Sequence, residues 1–125
     1  MSIHIKRVYE PPSADDGYRV LVDRLWPRGL SKEKLGLDAW MKDLAPSNEL
    51  RLWYGHVEAK WPEFQKRYFK ELAQHSDLVD ELRKRSRAHN VTLLYSSRNE
   101  TINNAVALKI YLERQMASAR RRSAQ

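Results

Sequence analysis

Two short apolar runs, separated by amphipathic segments, constrain the possible folds of this chain most strongly. Val20–Val22 and the run "VTLLYSS" that begins at Val91 are apolar, partly β-branched and bounded by polar residues, as buried strands are. "IHIKRV" alternates apolar and polar residues and predicts a further, short strand. Strands with helical segments between them predict an α/β fold: a small, mostly parallel sheet flanked by helices in a single compact domain.

The helical segments are marked by periodicity and by capping residues. "WPEFQKRYFKELAQH" carries apolar residues at helical spacing and a proline suited to the first turn. Ser47 is the expected N-cap of "NELRLWYGH", Ser76 or Asp77 that of "LVDELRKRSRAH", and Asn99 or Thr101 that of "AVALKIYLERQM". "LSKEKLGLDAW" is expected to be irregular with one helical turn, and "DAWMKDLAP" to add another.

The connection between the first two predicted strands leaves the sheet topology open. Only residues 9–17 separate them, fewer than a normal helical crossover requires. Either these strands pair antiparallel, or the crossover has been reduced to an irregular loop.

The composition excludes several classes of protein. A chain of 125 residues makes one domain, and no apolar run approaches the ~20 residues of a spanning helix, so no membrane role is expected. There is no cysteine, and the N-terminus has no apolar signal segment, so we expect a cytoplasmic protein. The four histidines have no metal-ligand spacing, and the four glycines form no phosphate loop. Neither a metal nor a cofactor is predicted.

The net charge of +7 is partly concentrated at the C-terminus. We therefore divide the chain into an α/β domain over residues 1–113 and a basic, frayed tail over residues 114–125. The tail and the basic helix "LRKRSRAH" make a nucleic-acid partner an alternative. Against it, the four basic residues of that helix surround the helix axis instead of lining one face.

Polar residues follow the second and third predicted strands, where an open α/β sheet binds its ligands. Asp23, Arg24, Trp26 and Arg28 follow "YRVLV", and "YSSRNETINN" follows the later strand. Parallel strands would bring both segments to one edge, together with three arginines and a helix N-terminus. This combination favours a phosphate- or carboxylate-bearing small molecule.

A second polar group, in "WMKDLAPSNELRLW", adds Lys42, Ser47 and Arg51, of which Ser47 is also explained as a helix cap. Asp23 is the candidate general base or arginine-orienting residue. The opposing interpretation is structural: Asp23 and Arg24 hold the loop while Trp26 packs at the rim of the core. The predicted ligand-binding residues are Arg24, Trp26, Arg28, Lys42, Ser47, Arg51, Tyr95, Arg98 and Asn104.

The segments "VLVDRLWPRG", "WMKDLAPSNELRLWYGH", "WPEFQKRYFKEL" and "VTLLYSSRNETINNAVAL" resemble the YeaO-like branch of the domain-of-unknown-function 488 family. The resemblance runs from about Ile3 to Leu112 and implies a small bacterial cytosolic protein with an α/β fold. Longer members carry a helix between the first two strands, which implies that this chain keeps the strands parallel and has lost the helix. Those members also tend to carry cysteines that this chain lacks, so thiol or metal chemistry does not transfer.

Three functions therefore remain open. The first is an anion-binding domain that is potentially an enzyme, the second a nucleic-acid binder and the third a non-catalytic interaction module. The oligomeric state is not predicted.

Overall fold

The protein, described from a computed structural model, is an α/β domain; the structure describes residues 2–123, and the side chains of residues 2–119. Its strands are β1 (Ile3–Arg7), β2 (Tyr18–Leu21), β3 (Ala39–Trp40) and β4 (Val91–Tyr95). Its α-helices are α1 (Lys32–Leu35), α2 (Asn48–Tyr54), α3 (Trp61–Leu72), α4 (Ser76–Ala88) and α5 (Asn104–Ser123). Short 3-10 turns lie at Ala14–Asp16, Lys42–Leu44, Glu58–Lys60 and Ala73–His75.

The four described strands form one parallel sheet in the order β1-β4-β2-β3. Ile3 is paired with Val91, and Val20 with Leu93, so β4 lies between β1 and β2. This arrangement confirms the predicted α/β class and the central position of β4. The two-residue strand β3 was not predicted; it extends the sheet by pairing Val20 with Ala39.

The connection from β1 to β2 is the shortened crossover. The two strands do not pair with each other but lie parallel on opposite sides of β4, so the antiparallel alternative is wrong. The connecting loop holds a single 3-10 turn, capped by Ser13, whose hydroxyl accepts a hydrogen bond from the Asp15 backbone N–H. A loop suffices because ten extended residues span roughly 33–36 Å, enough to return along the short strand β1 and pass β4.

One face of the sheet packs against the long helices. Alternate strand residues such as Val20, Val22 and Leu93 contribute to this core and are completely buried. Helix α3 contributes Phe64, Tyr68 and Leu72, and the other helices add Val79, Leu82, Ala105, Leu108 and Leu112. These helical residues confirm the inward faces that the periodicity predicts.

The opposite face is covered by loops and the short helix α1, and its core is smaller. Leu21, Leu94, Val8 and Leu35 are buried there, with Trp26, Leu30, Leu37 and Trp40 packed around them. Beside them lies an ionic cluster in which Asp16 pairs with Lys6 and Arg19. Arg19 is 5% exposed and also donates to the carbonyl oxygens of Leu35 and Gly36. This cluster attaches the crossover loop to the sheet where a helix would otherwise pack.

The helix caps were only partly predicted. Ser47 caps α2 as expected, through a bond from the Leu50 N–H. Helix α4 begins at Ser76 and has no side-chain cap, because it follows directly on the 3-10 turn after α3 and needs no separate start. Asn103, not Asn99 or Thr101, precedes α5 and accepts from the Val106 N–H at 2.9 Å. The Asn99 side chain instead organises the preceding turn by accepting from Thr101 and Ile102.

Helix α5 runs to Ser123, so the backbone of the predicted tail begins as a continuation of this helix. The side chains of residues 120–125 lie outside the described part, and so do three of the arginines on which the tail prediction rests. Within residues 2–123, no helix is both long and apolar enough to cross a membrane.

Acid is expected to weaken the ionic cluster. Burial alone raises the pKa of Asp16, but hydrogen bonds from the Ser13 N–H, Lys6 and Arg19 outweigh it and hold the pKa below its usual 3.8. A carboxyl group with a depressed folded-state pKa stabilises the fold above its unfolded pKa, and this contribution is lost as pH falls through the folded value. The free energy of unfolding should be higher for wild type than for Asp16→Asn. We expect this difference to be constant above about pH 3.8 and to shrink at lower pH. Urea unfolding at a series of pH values measures this; a difference independent of pH would contradict it.

Candidate functional site

A cavity of ≈ 380 Å³ lies at the carboxyl edge of the sheet, where β2 and β4 end. Its volume falls within the range of small-molecule sites, about 300–1,000 Å³. Because the two strands are parallel, the segments that follow them meet there. Six of the predicted site residues line the cavity: Asp23, Arg24, Trp26, Arg28, Arg51 and Asn104.

The Asp23 carboxylate holds the segments of the site together. One of its oxygens accepts from both the N–H and the hydroxyl of Ser96, at 2.9 and 2.8 Å. The other accepts from the Asn104 side-chain amide at 2.9 Å. Asp23 thus joins the end of β2 to the loop after β4 and to the start of α5. Three of the roughly four lone-pair positions of a carboxylate are occupied in this way.

Arg24 is fixed by backbone groups and has no carboxylate partner among the described residues. Its guanidinium donates to the carbonyl oxygens of Pro46 and Ala45, each at 3.3 Å. Both of these residues also line the cavity and are buried. Carbonyl oxygens orient the guanidinium without neutralising it, so its positive charge is retained at the cavity.

Arg28 and Arg51 line the same cavity and are exposed. The Arg51 guanidinium makes one long contact, 3.5 Å, to the Asn48 side chain. Among the described side chains, no ion pair joins Arg24, Arg28 or Arg51 to an acid. Three arginines therefore face one carboxylate, that of Asp23, which already accepts from neutral donors.

Aromatic side chains form the apolar wall of the cavity. Trp26 packs edge-on against Trp40, with ring centroids 5.3 Å apart, and donates to the Leu30 carbonyl at 2.7 Å. Its packing role therefore coexists with a place in the lining. Tyr54 and Phe64 stack with centroids 4.4 Å apart. Tyr54, 6% exposed, and Phe64, 2% exposed, both line the cavity and form part of its aromatic wall.

Four predicted site residues lie outside the cavity lining. Lys42 lies over the Trp40 ring at 4.0 Å, and Ser47 donates its hydroxyl to Glu71 at 2.6 Å. Tyr95 is buried within β4, and burial, with Glu100 and Glu10, raises its pKa. Arg98 is exposed on the loop that follows. These four residues are close to lining residues in sequence, but they do not line the cavity themselves.

The lining includes residues that the sequence analysis did not propose as site residues. Tyr9, Tyr54, His56 and Phe64 belong to this group. Phe64 also belongs to the core, as the helical spacing of its segment indicates, because it lies at the boundary between core and cavity. Outside the lining, Arg7 supports the site by donating to the carbonyls of Ser97 and Ser96. Over the described residues, no group of three or more His, Asp or Glu side chains is placed to hold a metal ion.

Fold and cavity together define a small parallel α/β domain with an arginine-bearing, aromatic-walled pocket at its carboxyl edge. The chain belongs to the DUF488 family: residues 2–125 match the family model described as the inactive DUF488-N3 subclade.

The relatives include "Uncharacterized protein YeaO" of Escherichia coli (strain K12), 45% identical over 112 residues, or 90% of this chain and 97% of that protein. "Uncharacterized protein Rv3073c" of Mycobacterium tuberculosis (strain ATCC 25618 / H37Rv) is 42% identical over 106 residues, or 85% of this chain and 89% of that protein. These matches confirm the YeaO-like resemblance. No solved structure matches the chain significantly.

Proposed function

We propose that this domain binds a small organic anion, carrying phosphate or carboxylate, in the cavity at the carboxyl edge of the sheet. The observation that carries the proposal is the set of three lining arginines, Arg24, Arg28 and Arg51, none of which is paired with an acid in the described structure. Cations gathered around a concave, partly apolar site attract an anionic group and hold it by charge-assisted hydrogen bonds.

The start of helix α5 supports the same ligand chemistry. Asn103 and Asn104 line the cavity, and the Asn103 side chain caps the Val106 N–H. The N-terminal end of a 20-residue helix carries a partial positive charge, which favours an anion nearby. The negative charge of Asp23 does not prevent an anion from binding nearby, because the Asp23 carboxylate already accepts hydrogen bonds from Ser96 and Asn104.

Binding without catalysis is the function that the geometry favours. A general base needs a lone pair directed at the substrate, whereas the Asp23 carboxylate accepts three hydrogen bonds from its own chain. We therefore assign Asp23 a positioning role. The description of the matching subclade as inactive agrees with this assignment.

The experiment is a binding titration with a panel of phosphorylated and carboxylated metabolites, by calorimetry and thermal shift. Arg28→Ala and Arg51→Ala remove exposed cations with few contacts, so both variants should fold. Each should weaken anion binding about tenfold, the equivalent of one lost charge-assisted hydrogen bond of about 1.4 kcal/mol. Arg24→Ala should weaken it further and also lower stability, because Arg24 holds the backbone at Ala45 and Pro46.

Arg98→Ala is the matched control, since Arg98 is an exposed arginine of the same region that does not line the cavity. It should leave the affinity unchanged. Equal losses in Arg98→Ala and Arg28→Ala would show that general positive charge, and not the cavity, attracts the ligand.

Oligonucleotides in the same panel test the nucleic-acid alternative. Two arginines of the basic helix α4 are paired with acids of their own helix, Arg83 with Asp80 and Arg85 with Glu81, so no specific contact favours this alternative. Tight oligonucleotide binding with a steep salt dependence, unaffected by Arg28→Ala, would nevertheless replace the cavity proposal.

A further inference from the structure

Tyr54 carries a hydroxyl that the fold does not use. Tyr54 is the last residue of α2, and its ring packs on Phe64 at 4.4 Å and near Trp61 at 6.1 Å. The residue is 6% exposed and lines the cavity. Its buried hydroxyl oxygen has no hydrogen-bond partner among the side chains and backbone that the structure describes.

Other buried or cavity-lining tyrosines differ in this respect. The Tyr68 hydroxyl donates to the Leu44 carbonyl, and the Tyr9 hydroxyl, also at the cavity, donates to the Arg28 carbonyl at 3.1 Å. A buried hydroxyl without a partner costs stability, so native proteins seldom retain one without a reason. Phenylalanine would fill the same ring position without this cost.

The hydroxyl retains its proton and is therefore available as a donor. Burial, with a smaller effect from Glu58, raises the pKa of Tyr54 above its usual value of 10.0. The His56 ring lies 6.1 Å from the Tyr54 ring, on an exposed residue with a φ of 59°. Because the hydroxyl oxygen is covered in the ligand-free structure, a bond to a ligand requires a neighbouring group to move.

We propose that Tyr54 is a specificity-determining residue, whose hydroxyl donates to an acceptor on the body of the anionic ligand. This inference rests on the proposed anion-binding function and narrows the ligand class. The ligand is then an organic phosphate or carboxylate with a flat, apolar body that fits the Tyr54–Phe64 wall. The arginines bind the anionic group of this ligand. The body of the ligand carries a hydrogen-bond acceptor remote from that group.

Two aryl phosphates, one of which carries an added acceptor, examine this, and Tyr54→Phe separates the effect of the acceptor from the other effects of the nitro group. Phenyl phosphate has the flat body, and 4-nitrophenyl phosphate adds an acceptor at the far end; inorganic phosphate has neither. We expect the wild type to prefer 4-nitrophenyl phosphate over phenyl phosphate about tenfold, as one hydrogen bond would give. Tyr54→Phe should abolish this preference and leave the affinity for inorganic phosphate unchanged. Tyr68→Phe, which alters a tyrosine outside the cavity lining whose hydroxyl is already bonded to the Leu44 carbonyl, should keep the preference.

The free proteins provide a second readout. Tyr54→Phe removes an unsatisfied hydroxyl, so its thermal midpoint should equal or exceed that of wild type. Tyr68→Phe removes a buried hydroxyl that is hydrogen-bonded, so it should lower the midpoint. A preference that survives in Tyr54→Phe, or a lowered midpoint for this variant, would overturn the inference. Binding of other anions but of neither aryl phosphate would overturn it and leave the proposed function intact. Failure of every anion to bind would contradict both the inference about Tyr54 and the proposed anion-binding function.

Discussion

Gly17→Ala is expected to lower the free energy of unfolding by about 3 kcal/mol or more, from combined backbone strain and steric overlap. Gly17 has a φ of 63° and a ψ of −128°, a combination that residues with a side chain rarely adopt. A Cβ atom there would lie 2.1 Å from the Asn90 carbonyl oxygen. That oxygen accepts from the Tyr18 N–H where β2 begins to pair with β4, so the clash cannot be relieved without disturbing the sheet.

Gly29→Ala separates the two causes. Gly29 also has a positive φ, 78°, but a Cβ atom added there meets no atom within 4 Å. Gly29→Ala should therefore lower the free energy of unfolding only by the cost of a positive φ, about 1 kcal/mol. Urea unfolding of both variants measures the difference, and a Gly17→Ala variant without a cooperative transition also meets the expectation. Equal losses in the two variants would show that the contact with Asn90 is unimportant.

Arg19→Met is the second substitution with a large expected effect, about 3–5 kcal/mol, because it leaves a buried carboxylate without its main partner. Arg19 donates to Asp16 and to the carbonyls of Leu35 and Gly36, so the change also releases the end of α1. Lys6 remains beside Asp16 at 3.2 Å but is only one of its two cations. Methionine retains much of the aliphatic stem, which isolates the loss of the guanidinium.

Arg67→Met is the appropriate control, since it removes an arginine from an exposed pair with Glu63. Exposed pairs contribute about 0–1 kcal/mol, so this variant should unfold close to wild type. Chemical denaturation of both variants at neutral pH distinguishes them. A loss in Arg19→Met no larger than in Arg67→Met would mean that the loop-covered face does not depend on the ionic cluster.

Features encoded locally in the chain were predictable. The run from Val91 marked the central strand, and Ser47 marked the start of α2, because burial pattern and capping are properties of neighbouring residues. The strand β3 could not be found in this way. It is two residues long and exists because Val20 pairs with Ala39, a contact that leaves no periodic signal.

The candidate site was predictable where a strand end determines position. Asp23, Arg24 and Asn104 were expected at the carboxyl edge and lie together there. Tyr54 was missed because the pattern of a helix shows that an aromatic residue is inward but not whether it meets core or cavity. Lys42 and Arg98 lie outside the cavity lining for a related reason. The direction of a side chain in a loop depends on contacts such as the one that holds Lys42 over Trp40.

The position of β4 has a consequence for how the chain acquires its structure. β4 is the last strand in sequence, yet it supplies the pairing partner of both β1 and β2. Loop closure over most of the chain must therefore precede sheet formation, which slows folding. During synthesis, β1 emerges long before residue 91 without a pairing partner, and β2 has only the two-residue strand β3 to pair with. We therefore expect nascent chains that end before β4 to lack a stable sheet.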